Sequence, residues 1–212
     1  MKIVALNGSP KKTGNTYNAI KLVFDELEKE GIETEIIQIG SKNIRGCTAC
    51  NACSKTKNER CIIDDEINGI IQKMKNADGI ILGSPVYFSG IAGTMKSALD
   101  RIFYVSGSNG NIFRNKIGDS VVAFRHSGGM PTFQQLNNYI NYAEMVIPTS
   151  NYWNVAHGTL PGDVLKDIEG VQVMRVLGKN MAWLIKLLEN GKGIVPVPEK
   201  EVKEWMNFIR KD

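Results

Sequence analysis

Strand-like and helix-like segments alternate along the chain, and this alternation constrains the fold more than any other feature. Residues 79–84 (GIILGS) form an apolar run with no polar face, the pattern of a strand covered on both sides within a parallel sheet. Residues 2–7 (KIVALN) make a similar run, and residues 18–29 follow with Ile20, Leu22, Val23, Phe24 and Leu27 at helical spacing. A strand over 33–39, a helix over 64–76 with Ile67, Ile70, Ile71 and Met74 on one face, and a helix over 94–105 continue the series. Asp64 and Asp65 suit the start of the second helix, where the helix dipole favours negative charge. The pattern predicts a strand over 120–124, a helix over 132–143, a short fifth strand over 144–148, a long helix over 167–189 and a short one over 200–210.

Parallel strands joined by helices need right-handed crossovers, which bring the loops at the strand carboxyl ends to one edge, where such folds bind ligands. The expected fold class is therefore α/β, a doubly wound five-stranded parallel sheet with helices on both faces. A length of 212 residues suits a single domain over 1–212, with a cysteine-bearing loop over 46–63 inserted after the second strand. The polar, glycine-rich stretches 107–111 and 156–162 read as surface loops near the binding edge. In the last long helix, most of Met174, Val176, Leu177, Trp183, Leu184, Leu187 and Leu188 are expected in the core, while a dimer face also fits them.

The 26 basic and 22 acidic residues are dispersed, so the formal net charge of +4 describes solubility and marks no nucleic-acid footprint. No apolar run reaches the roughly 20 residues of a membrane-spanning helix. Met1 leads into a strand with no signal-peptide pattern, and a cytoplasmic location is expected. Hydrolase chemistry is disfavoured, since no G-x-S-x-G occurs and the two histidines, His126 and His157, read as loop hydrogen-bonders.

Three loops at the expected binding edge carry the chemistry. In residues 7–16 (NGSPKKTGNT), Gly8 and Gly14 permit close backbone approach, and Pro10 and Lys11 flank donors on Ser9, Thr13, Asn15 and Thr16. A helix start behind them favours a bound phosphate, although the same residues also fit a turn ahead of a capped helix. The spacing matches neither the dinucleotide fingerprint nor the nucleotide-triphosphate loop, which disfavours ATP and a Rossmann-bound NAD. In residues 83–90 (GSPVYFSG), Pro85 restricts the backbone, Tyr87 and Phe88 offer aromatic surface, and backbone groups of Val86 to Ser89 can bond a flat heterocycle. Arg125, His126, Ser127 and Gly128 form the third loop, in which Arg125 or His126 can balance negative charge or simply meet solvent.

The segments G-S-P-x-x-x-G-N-T over 8–16 and G-S-P-V-Y over 83–87 resemble the NADPH-dependent FMN reductase and iron-sulfur flavoprotein families, over nearly the whole chain. The resemblance implies a flavodoxin-like homo-oligomer, a homodimer or homotetramer. It implies FMN with its phosphate on Ser9, Gly14, Asn15 and Thr16 and its ring against Pro85, Val86, Tyr87 and Phe88. The expected activity passes electrons from NAD(P)H as co-substrate, or from a reduced carrier, to a quinone, a flavin or a redox protein. Tyr152 and Trp153 are candidates to line the nicotinamide. The rival readings are a non-enzymatic electron carrier and a flavin-binding sensor module.

Cys47, Cys50, Cys53 and Cys61 group all four cysteines at C-x2-C-x2-C-x7-C spacing, short enough for one metal centre. Resemblance to the iron-sulfur flavoproteins implies a 4Fe-4S cluster there. A zinc site, a redox disulfide and unligated thiols remain open alternatives.

Overall fold

The structure is a computed structural model that describes residues 1–204. Strand β1 (Lys2–Asn7) runs parallel to β2 (Glu33–Gln38) on one side and to β3 (Gly79–Tyr87) on the other. β3 pairs in parallel with β5 (Ile117–Phe124), and β5 with β6 (Val155–His157). A short strand β4 (Gly90–Ile91) folds back antiparallel on the end of β3. The parallel order is therefore β2-β1-β3-β5-β6. With β4 set aside, this is the 2-1-3-4-5 order of flavodoxin-like sheets.

The two-residue period of the strands divides their side chains between two cores. Ile3, Ala5 and Ile81 enter one core with Ile20 of α1 (Asn15–Lys29) and Leu177 of α6 (Ile168–Gly191). Val4, Leu6, Ile80 and Leu82 enter the other, with Ile71 of α3 (Glu66–Asn76), Leu99 of α4 (Gly93–Ser108) and Leu136 of α5 (Gly129–Tyr142). β3 is apolar on both faces because helices cover both, and each buried Ile or Leu contributes about 1.5–3 kcal/mol relative to an exposed one. Acidic caps start two helices: the Asp65 carboxylate accepts from Ile67 N at 3.1 Å, and Asp167 from Gly170 N at 3.0 Å. Among the described residues, no helix is long and apolar enough to cross a membrane.

The expected fifth strand over 144–148 is not one. That segment makes a single bridge, Val146 to Ile117, and the outer position of the sheet belongs to Val155–His157. The left-handed φ of Glu144 (52°) and the missing N–H of Pro148 interrupt pairing on either side of the bridge. A five-residue helix, α2 (Ala52–Thr56), also forms inside the cysteine loop, where no helix is expected from the sequence. In α6, Met174 and Leu177 are buried, whereas Trp183, Leu187 and Leu188 are exposed. Of the helix expected over 200–210, residues 205–210 lie outside the described residues, and 200–204 have no regular structure.

One polar pair lies within the sheet. Asp119 of β5 is buried beside Asn154, and one side-chain oxygen of each, Oδ2 and Oδ1 respectively, has no hydrogen-bond partner. Burial pushes the Asp119 carboxyl up to about 7. Its folded pKa thus exceeds its unfolded one, so the protonated form stabilises the fold below about pH 4, and that contribution is lost as pH rises through 7. Asp119→Asn keeps the acceptor for Ser120 N and removes the titration. Thermal melts between pH 4 and 8 should show wild type losing stability relative to the variant as pH rises; parallel curves would contradict the assignment.

Candidate functional site

The register of the strands brings their carboxyl ends level. Asn7 faces Gly83, Pro85 faces Ala123 and Phe124 faces His157. The loops that follow therefore meet at one edge, around a cleft of about 160 Å3. Ser9, Pro10, Lys11, Asn15 and Thr16 line it from the first loop, and Pro85, Val86 and Tyr87 from the second. It continues into a wider depression of about 670 Å3 bordered by Phe88, Ser89, Arg125, His126 and Ser127, with Val86, Arg125 and Thr159 lining both parts. Thr13 and Gly14 do not line the cleft: Thr13 is exposed, and Gly14 is the buried residue that precedes α1. Tyr152 and Trp153 do not line it either, and both are about half exposed.

The first loop is held from beneath. Buried Asn7 accepts from Ser9 N at 3.1 Å and donates to Gln38 Oε1 at 2.7 Å, while Gln38 Nε2 donates to the Ser9 carbonyl at 2.6 Å. Ser9 Oγ accepts from Lys11 N at 3.2 Å. The chain leaving β2 presses so close that a Cβ at Gly40 would overlap the Ser9 carbonyl. α1 starts without a side-chain cap and without an acidic residue in its first turn, so its positive end opens toward the cleft. Asn15 Oδ1 accepts from Gly162 N (2.9 Å) and Val164 N (3.3 Å), which ties the 3-10 turn Asp163–Lys166 to this loop.

The second loop is a tight hairpin. Val86 pairs with Ile91 and Tyr87 with Gly90, leaving Phe88 (φ 48°) and Ser89 (φ 59°) as its two turn residues. Paired left-handed conformations define a type I′ turn, in which Phe costs about 1–2 kcal/mol relative to Gly. The Phe88 side chain is fully exposed at the tip, so Val86 and Tyr87 supply more of the cleft wall than it does. Gly128 (φ 84°) packs beneath the hairpin, where a Cβ would come within 2.8 Å of Ser89 Cα and 2.9 Å of Val86 Cγ1. Arg125, His126 and Ser127 are exposed beside it. Ala123, Phe124, Gly158 and Thr159 complete the wall and are not among the expected site residues; Ala123 and Phe124 end the expected strand 120–124, and Gly158 and Thr159 lie in the stretch 156–162 read as a loop near the binding edge.

The cysteine segment builds a second feature. Cys47, Cys50, Cys53 and Cys61 all line one small cavity, together with Ile63, Arg101 and Tyr104, and none forms a disulfide. Ala49 (φ 52°) and Asn51 (φ 59°) are left-handed between the first three cysteines and coil the chain around the cavity. The backbone N–H of Ala52, and then the Thr48 hydroxyl, hold the Cys50 thiol below the ordinary range. Arg101 of α4 is completely buried and bidentate to Asp65, at 2.6 and 2.8 Å. Burial disfavours its charge, and Asp65 and Cys61 beside it more than offset that cost. Sequence reasoning passed over Arg101; its one signal is the charged pair Asp100-Arg101 set between Ala98, Leu99 and Ile102, Phe103. Among the described residues, no three His, Cys, Asp or Glu side chains converge as a single metal ion needs.

An iron-sulfur flavoprotein of Methanocaldococcus jannaschii is 37% identical over 196 residues, covering 89% of this chain and all of the relative. One from Methanosarcina thermophila is 28% identical over 91% of this chain and 99% of its own length. Among solved structures, RosB with a bound 8-demethyl-8-formylriboflavin-5'-phosphate superposes with a TM-score of 0.68 at 18% identity, over 100% of this chain and 95% of the other. An NAD(P)H:quinone oxidoreductase from Methanothermobacter marburgensis gives 0.63 at 14% identity, over 85% and 96%. A flavodoxin from the domain Archaea superposes with a TM-score of 0.57 at 15% identity, over 88% of this chain and 99% of the other, and the fold is flavodoxin-like. The family model for NADPH-dependent FMN reductase matches residues 1–160. The chain belongs to the NADPH-dependent FMN reductase family.

Proposed function

We propose that this protein is an FMN-dependent oxidoreductase that takes electrons from NAD(P)H or a reduced carrier and passes them to a quinone, a flavin or a redox protein. The observation that carries the reading is the uncapped start of α1, opening beside Ser9 and Thr16 into the same cleft as Val86 and Tyr87. A phosphate suits the first end and a flat ring the second. Ser9, Gly14, Asn15 and Thr16 would hold the phosphate, with Pro10, Lys11 and Thr13 flanking it. Pro85, Val86, Tyr87, Phe88 and Ser89 would hold the ring. When bound, FMN supplies two-electron uptake and one-electron release. The protein's own part is to exclude water from one ring face and, through Arg125, to set a positive charge near the other loops; His126, Ser127 and Gly128 shape that border.

We assign Cys47, Cys50, Cys53 and Cys61 as ligands of a 4Fe-4S cluster. The donor set fits: four thiols around one cavity suit a group whose irons each take one sulfur, better than an ion that needs all of them at one point. The protein in this reading is one domain over 1–212, cytoplasmic, a homodimer or homotetramer, with no nucleic-acid partner.

Ser9→Ala and Thr16→Ala should each weaken FMN binding to the apoprotein about tenfold, the value of one hydrogen bond to a charged group, and leave riboflavin affinity unchanged. Gly40→Ala should do the same through its clash with Ser9, and lower stability by about 1–3 kcal/mol. Equal losses for both flavins in titration calorimetry contradict the phosphate assignment. In anaerobic stopped flow, NADPH or NADH should bleach the flavin band; a band unchanged by both leaves a reduced carrier as the donor.

A further inference from the structure

Among the described residues, Arg101 is the only charged one in the wall of the cysteine cavity. A guanidinium has five N–H donors. The two on Nη1 go to Asp65 Oδ2 (2.6 Å) and the Arg45 carbonyl (3.3 Å), and the two on Nη2 to Asp65 Oδ1 (2.8 Å) and the Ile63 carbonyl (3.2 Å). The fifth, on Nε, is buried with no partner. Arg45 precedes Cys47, and Ile63 and Asp65 follow Cys61, so one side chain on α4 fastens both ends of the cysteine segment. Burying a charge with one donor unsatisfied is unfavourable unless something in the cavity accepts that donor.

We infer that Arg101 positions the cysteine segment and provides a fixed positive charge and a spare N–H donor to the sulfur-rich group it holds, favouring that group's reduction by one electron. The inference rests on the cluster assignment above. In the titration that tests it, dithionite gives up the electron and the cluster takes it, with no bond or proton transferred. The added negative charge lies in a small cavity beside the buried Arg101 side chain, where a neighbouring cation and an N–H···S bond stabilise it. Asp65 opposes this effect, because its carboxylate partly cancels the guanidinium.

Two variants act in opposite directions. Arg101→Lys keeps a charge but loses the Nε donor and the fork that clamps both ends. Asp65→Asn keeps an acceptor for Ile67 N and removes the cancelling charge. The full chain is reconstituted anaerobically, its iron is measured, and its potential is followed by the paramagnetic signal of the reduced cluster. Reduction should become about tenfold less favourable in Arg101→Lys, a shift of ~59 mV for one electron, and more favourable in Asp65→Asn. Iron-loaded variants with the wild-type potential overturn the electrostatic role and leave the cluster assignment standing. Wild-type protein that takes up no iron overturns the assignment and the inference together.

Discussion

Coverage of the sheet on both faces is the constraint on which the rest depends. β1, β3 and β5 are sandwiched between two helical layers, so apart from Asp119 and Ser120 of β5 their middles are apolar. Polar chemistry is displaced to the carboxyl edge, where the strands end level and the chain turns outward. Asn7 is the exception that helps: buried at the end of β1, it spends its side chain bracing the loop that follows. Asp119 is the exception that costs, a buried carboxyl with one oxygen unpartnered, where burial favours the neutral form.

The segment after β2 joins the two candidate centres. Gly40 lies against Ser9 and steadies the first loop, and a few residues later the same stretch becomes the cysteine coil. That coil is anchored at both ends by Arg101 on α4. The apolar layer beneath holds α4 in place through Leu99 and Ile102. Both centres therefore stand on the same sheet and share one connecting segment, and their relative placement is set by packing.

Much of this was legible in the residues themselves. The apolar run at 79–84 announced a doubly covered strand, and the small-residue loops at 8–16 and 83–90 announced a binding edge; the structure brings them to one cleft. What escaped notice had weak local signals. β6 is only three residues long and gains its place from pairing with β5, which no periodicity can reveal, so the apolar stretch at 144–148 took its role. Gly40 carries no local signal, because the backbone it touches lies far away in sequence. Phe88 read as an aromatic of the cleft; it stands at the exposed tip of a two-residue turn and borders the wider depression instead of the narrow cleft. Arg101 hid within an apolar helix whose partner carboxylate is 36 positions away.

A crystal structure of the protein reconstituted with FMN tests the central claim most directly. The account predicts the phosphate at the start of α1 between Ser9 and Thr16, and the ring beside Val86 and Tyr87, with the two loops unmoved. FMN bound elsewhere, or a phosphate resting away from the start of α1, would contradict it.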